Sequence, residues 1–334
     1  MLRRTVEVSR EPAHITVRDN QLLILRKTDP PKTLPANPPN LAGSIPIEDI
    51  GMVVIDEPQT TYSHAALNAL AEQGAAVVVC GRDHMPSGIL LAISQHNEIV
   101  WRLDDQLGAS RPLQKQMWRR IIIAKILAQM SALPDEAILI REKLAALARE
   151  VKSGDTENHE AQAARLYWEV WIADSPSQLA RDFRRDTSPG KHAECPNNFL
   201  NYGYAVLRAS VARALVGAGL LTALGIKHRH RANAFCLADD LMEPLRPVID
   251  RTARELFLEG ARDLTQPAKG RLLLTLTATA TDSSGSGPIS ALLPRYAASL
   301  AESFARGEDH LDIPEIVPWT ESRPPRTKGA QPSW

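Results

Sequence analysis

The chain has 334 residues, 44% of them hydrophobic, which is enough for about two domains with apolar cores. Lysine plus arginine equals aspartate plus glutamate at 39 each, so the whole-molecule field favours no partner, and affinity for nucleic acid must come from local patches. Three scattered cysteines without a Cys-x-x-Cys pair argue against a structural zinc site or a disulfide framework and point to reduced thiols.

The start of the chain, MLRRTVEVSREP, lacks the apolar stretch of a signal peptide. No run of roughly 18 apolar residues follows anywhere, so no membrane span is expected and the protein is read as cytoplasmic. TVEVS, HITVRD and QLLILRK are short, partly alternating runs that predict strands. The proline-rich 28–40 segment predicts a loop, and SIPIEDIGMVVID a strand pair or bent strand. SHAALNALAEQG predicts a short helix with Ser63 as N-cap and Gly74 as its stop. AAVVVC and GILLAIS read as buried strands.

Near residue 100 the period changes. Leu113, Met117, Ile121, Ala124 and Ala128 step by 4, 4, 3 and 4, the spacing of one helix face. DEAILIREKLAALAREVKS, DTENHEAQAARLYWEVWIA and NNFLNYGYAVLRASVARALVGAGL predict three more helices, the last apolar nearly all round. Further helices are expected at about 239–260 and 287–306. TATATDSSGSG, 277–287, reads as a flexible low-complexity loop. The predicted architecture is α+β multidomain. A small β-rich N-terminal domain (1–98) precedes an all-helical C-terminal catalytic domain (99–309), and a proline-rich tail (310–334) is a loose extension.

The stretch KHRHRANAFCLADDLMEPLRP, Lys227 to Pro247, concentrates the chemistry. Asp240 and Glu243 are three apart and share a helix face. Asp239 is expected to cap that helix, and Pro244 and Pro247 to bend it just past Glu243. His228 sits in the preceding loop, close enough in sequence for the chain to fold back onto Glu243. Upstream, Glu160 heads the stripe Glu160, Ala164, Tyr167 and Trp171. A carboxylate there faces inwards and needs an arginine or a metal as partner, whereas Glu157 and Glu169 fall on the solvated side. Glu160, His228 and Glu243 together make a hard, mostly oxygen site suited to Mg2+ or Mn2+, able to act on a phosphodiester. The bland reading is a salt-bridged core glutamate, a solvated loop histidine and an N-terminal helix acid.

From Cys195 to Ala238 there is no acidic residue, while Arg208, Arg213, Lys227, Arg229 and Arg231 are basic. Lys227, Arg229 and Arg231 are read as phosphate contacts, with Arg208 and Arg213 equally well acid-paired at a helix edge. CGRDHMPSG reads as a turn. The aromatic run RLYWEVW has helical spacing and reads as core, although a base could stack on it.

In order, ENHEAQAARLYW, NNFLNYGYAVLR and GIKHRHRANAFCLADDLMEPLRP resemble the CRISPR-associated endonuclease and integrase of spacer acquisition, the first of the Cas protein families. IPIEDIGMVVID and QKQMWRRIIIAKI resemble it earlier in the chain, and LADDLMEP is most similar to the branch associated with type II systems. The resemblance implies a β-rich dimerisation domain, a helical catalytic domain, and a metal held by Glu160, His228 and Glu243, with Asp240 as a further acid nearby. It implies double-stranded DNA as substrate, insertion of foreign fragments as new spacers, a homodimer and a small second Cas protein as partner. Two departures stand out: Lys227 precedes His228 where a second histidine is common, and His230 stands where asparagine is common. On these departures a scaffold that binds DNA without chemistry is the alternative. A metal phosphohydrolase acting on nucleotides would need a closed small-molecule pocket, and the sequence shows no nucleotide-binding loop.

Overall fold

The computed structural model describes residues 3–26, 38–92, 96–172, 183–187 and 193–316. These divide between residues 95 and 96 into two compact units. The expected loop at 28–40 lies mostly outside the described residues.

The first unit is mixed, with two four-stranded sheets and one helix. β1 (Arg4–Val8), β5 (Ile50–Ile55), β7 (Ala76–Cys80) and β8 (Pro86–Leu90) form a sheet in the order β1-β5-β7-β8, parallel except for the β7–β8 hairpin. β5, IGMVVI, is buried at every position, as a central parallel strand must be. β8 is largely exposed rather than buried, because it is the edge strand and starts at Pro86, which has no N–H to give the ladder. The second sheet, β4-β3-β2-β6, is built from β2 (Ala13–Arg18), β3 (Gln21–Arg26), β4 (Leu41–Pro46) and β6 (Thr61–Tyr62). A single 3-10 turn at Ile47–Asp49 links β4 to β5, so of the two expected forms this segment takes the strand pair. α1 (His64–Glu72) begins where Ser63 accepts a hydrogen bond from the Ala66 N–H at 3.1 Å, and the chain leaves it at Gly74 with φ +65°. Val6, Ile15, Leu22, Ile50, Leu70 and Val77 belong to one core.

The second unit is helical but not wholly so. α2 (Ile99–Gly108), α3 (Arg111–Ala132), α4 (Ile138–Glu150) and α5 (His159–Val170) lead to α6 (Asn197–Gly217), which is buried on most of its surface. α7 (Cys236–Met242), one 3-10 turn at Glu243–Leu245 and α8 (Arg246–Leu258) follow, so the bend expected past Glu243 is one tightened turn. α6 and α8 approach closely at Gly203, where a Cβ would sit 2.3 Å from Ile249 Cγ2. α9 (Gln266–Leu274) and α2 had no counterpart among the predicted helices. α10 (Ile289–Arg306) ends at Gly307 in the left-handed conformation.

The expectation of an all-helical unit is corrected by β9 (Thr279–Asp282), β10 (Gly285–Pro288) and β11 (Glu315–Ile316), a sheet in the order β10-β9-β11. The segment read as a flexible loop is therefore a hairpin, because alternating Thr and Ala suit a strand and Ser283–Ser284 make a two-residue turn that Gly285, at φ +129°, leaves. Residues 310–316 are likewise part of the fold. Leu311 is buried, Asp312 accepts from the Ser283 N–H and hydroxyl, and β11 completes the sheet. Residues 317–334 lie outside the described set. Among the described residues, no helix is long and apolar enough to cross a membrane.

Candidate metal centre

α5 starts abruptly after a tight turn. The Asp155 carboxylate accepts from the backbone N–H groups of His159 at 2.9 Å and Glu160 at 3.0 Å, satisfying two otherwise unpaired helix-start donors. Glu160 is thereby fixed in the first turn, half-buried at the head of a stripe that continues into buried Tyr167 and Trp171. It has found its cation. Lys125 of α3 places Nζ 2.6 Å from Glu160 Oε1, and the same Nζ lies 2.6 Å from Glu243 Oε2. Glu157 and Glu169 remain at the surface with Lys152 and Arg165.

Glu243 opens the 3-10 turn and its side chain is only 3% exposed. Burial alone would push its carboxyl up, but the Arg246 guanidinium, 3.2 Å from Oε1, and the Lys125 ammonium outweigh this and hold it below the usual range. Lys125 is itself buried. Burial favours loss of its proton, yet Glu243 and Glu160 together raise its pKa above the ordinary lysine value. The Lys125–Glu243 contact is an ion pair by distance, but its direction does not meet hydrogen-bond geometry, so Glu243 Oε2 is a buried acceptor without an aligned donor.

His228 is held on the loop between α6 and α7. Its Nδ1 lies 2.5 Å from Asp240 Oδ1, and Asp240, fully buried in α7, also accepts the N–H of Lys227 at 2.9 Å and of His228 at 3.2 Å. The hydrogen bond to Asp240 raises the pKa of His228 against the effect of burial, with Glu243 and Glu160 adding to the rise, so both carboxylates are felt at the ring. Burial raises the Asp240 carboxyl, partly offset by His228. Trp118 packs edge-on against the imidazole, centroids 5.6 Å apart. With Nδ1 committed to Asp240, Nε2 is the nitrogen left for a ligand, the arrangement by which carboxylates orient metal-binding histidines.

Glu160 and Glu243 thus meet on one ammonium, and His228 is coupled to both. Among the described residues, no three His, Cys, Asp or Glu side chains form a group that could hold a metal as they stand, and Lys125 lies between two of the acids. The donor set still fits a divalent ion: two carboxylates, one of them with a buried oxygen lacking an aligned donor, and one imidazole nitrogen.

Asp239 does not cap the helix. α7 begins three residues earlier, at Cys236, and Asp239 pairs instead with Arg208 at 2.6 Å and Asn233 at 2.7 Å. Arg208 is therefore acid-paired. Lys227, Arg229 and Arg231 are exposed, Arg229 reaching Gln114 at 3.1 Å. Cys236 is buried, and burial pushes the Cys195 thiol up to about 11. Behind the site, buried Asp250 accepts the Tyr167 hydroxyl at 3.0 Å and the Tyr204 hydroxyl, and Arg246 stacks over the Tyr204 ring at 4.9 Å. Lys125, Trp118, Arg246 and Asp155 were missed from sequence. Lys125 had a signal: the buried face of α3 runs through Met117, Ile121, Lys125 and Gln129 rather than turning to Ala124 and Ala128, which are only half-buried, and a lysine on such a face implies a buried anion.

A family profile described as "CRISPR associated protein Cas1" matches residues 6–279. A CRISPR-associated endonuclease Cas1 of Neisseria meningitidis serogroup C (strain 8013) is 37% identical over 286 residues, 83% of this chain and 89% of that protein. Among solved structures, a casposase bound to integration product superposes with TM-score 0.73 at 18% identity, over 94% of both chains. A Cas6-RT-Cas1–Cas2 complex also matches with TM-score 0.73 and 18% identity, covering 94% of this chain and 36% of that longer one.

Proposed function

The chain belongs to the Cas1 family of CRISPR-associated endonucleases, and from that premise we propose that Glu160, His228 and Glu243 hold the divalent ion of its DNA-joining reaction. The activity is that of a spacer-integrating nuclease, most similar to the type II branch. In the proposed reaction, a free 3′-hydroxyl on a captured fragment attacks a phosphodiester at the repeat boundary; the new ester bond forms as the old one breaks, and the leaving oxygen takes a proton. The ion, Mg2+ or Mn2+, supplies Lewis acidity to the target phosphate.

The protein's own groups do the rest. Glu160 and Glu243 supply the negative charge that attracts the ion, and Arg246 keeps Glu243 ionised. Asp240 and Trp118 fix the ring of His228 with Nε2 directed away from the buried acid. Lys227, Arg229 and Arg231, exposed on the loop that carries His228, meet the phosphate backbone. The substrate is double-stranded DNA. A homodimer built through the first unit and the small second Cas protein complete the assembly, the second partner being supported by the fold shared with a Cas1–Cas2 complex. Chromosomal DNA as target puts the work in the cytoplasm.

The observation that carries this reading is the convergence of Glu160 and Glu243 on one buried cation beside an Asp240-oriented histidine. The alternative of a non-catalytic scaffold rested on Lys227 and His230. Lys227 gives the site its backbone N–H while its side chain is exposed, so the departure leaves the Asp240–His228 pair intact. The test is strand transfer of a short duplex into a repeat-containing plasmid with and without divalent cation. Joining by the wild type with Mn2+, lost in EDTA and in Glu160→Ala and His228→Ala, is expected; equal joining by the variants would refute the assignment.

A further inference from the structure

Lys125 has no part in the ligand set, yet its ammonium lies between two members of it. Nζ is 2.6 Å from Glu160 Oε1 and 2.6 Å from Glu243 Oε2, and the side chain is 9% exposed. Burying an ammonium is costly unless anions compensate it, and two facing carboxylates repel unless a cation separates them. One lysine satisfies both conditions. A divalent ion held by Glu160 and Glu243 would draw on the same carboxylates that Nζ now bridges, so the two cations would contend for one place.

We infer that Lys125 is a resident cation that competes with the divalent ion, holding Glu160 and Glu243 together in the metal-free protein and giving up its place when the ion enters. The inference rests on the proposed assignment of those two glutamates as ligands. Two details favour exchange over a permanent bridge. The Glu243 Oε2 contact is a 2.6 Å ion pair without hydrogen-bond alignment, so it rests on charge, which a divalent ion would supply in double measure. Arg246 approaches the other oxygen, Oε1, and stays as the partner of Glu243 after the exchange. The lysine thus sets metal affinity below what the same ligands would give alone, while keeping the empty site assembled.

The test is titration of full-length, DNA-free protein with Mn2+, free ion being read by electron paramagnetic resonance, together with Tm in EDTA. Lys125→Met is expected to bind Mn2+ on the order of tenfold more tightly than wild type, because a competing like charge is gone, and to melt lower in EDTA. Lys125→Gln, which keeps a donor toward Glu160, carries the same expectation and serves if the methionine variant does not fold. Mn2+ binding no tighter than wild type in the folded variants overturns the inference. So does failure of both to fold even in Mn2+, since the ammonium would then be an indispensable strut. Glu160→Gln separates the two assignments. If it binds Mn2+ like wild type, the ligand reading fails and takes the inference with it. If it loses Mn2+ while the lysine variants show no gain, the inference alone fails.

Discussion

His228 and Asp240 act as one unit: ring Nδ1 lies 2.5 Å from Oδ1, and the same carboxylate takes the N–H groups of Lys227 and His228. The acid therefore fixes the loop backbone and the ring orientation together. Asp240→Asn keeps the shape but removes the charge. Metal affinity and DNA joining are expected to fall about 10–100-fold, the usual cost of losing a histidine-orienting carboxylate. The pKa of His228 should drop as well, since Asp240 is the main cause of its rise. Ring NMR titration against Mn2+ binding checks both; an unchanged titration would refute the coupling.

Gly225 makes room for this unit. A Cβ there would lie 2.4 Å from the His228 carbonyl oxygen and 2.8 Å from Asp240 Oδ2. Gly225→Ala must push the loop off the acid, at about 1–3 kcal/mol for such overpacking. Tm should fall by several degrees, and joining should fall further than lost stability explains, because the imidazole is displaced. Activity measured well below Tm separates the two effects.

Arg246 is the guanidinium that keeps buried Glu243 ionised while stacked on Tyr204. Arg246→Met leaves that acid with a single cation partner, and breaking a buried pair costs roughly 3–5 kcal/mol. A large drop in Tm and the loss of joining at the acidic end of the pH profile are expected. Arg246→Lys should restore little, because an ammonium cannot reproduce the planar stack.

Asp250 gives the protein a pH-dependent stability. Burial raises its carboxyl from 3.8 to about 6, despite hydrogen bonds from Tyr204 and Tyr167. The folded state therefore binds this proton more tightly than the unfolded chain. The contribution is full below about 3.8 and is lost as pH rises through 6. The shift corresponds to about 3 kcal/mol. Asp250→Asn should remove this dependence, so the stability difference between wild type and variant, followed by urea denaturation, should change between pH 4 and 6 and level off above. A constant difference would show that the carboxyl is not raised.

The N-terminal strands, the long helices, the cap at Ser63, the inward face of Glu160 and the bend after Glu243 were legible because they depend on local period, capping chemistry and proline. The first and last acids and the loop histidine stood out in the sequence as motif residues, and their role as ligands is what the proposed function assigns them. Other features were not. Local composition made 277–287 look like a flexible loop, and only the arrival of β11 and Asp312 gives that hairpin its partners. Asp239 looked like a cap, but the chain entered the helix earlier, and Arg208 from α6 supplied its counter-charge.

The sequence by itself determined which side chains carry charge, which helix faces are apolar and which family the motifs resemble. Only the tertiary structure decided that Glu160 and Glu243 share the Lys125 ammonium, that Asp240 is the partner of His228, and that Arg246 guards Glu243. Period and propensity act over a few residues. The pairing of a buried charge is decided by whichever opposite charge the packing of distant helices brings within reach, and 35 residues separate Lys125 from Glu160.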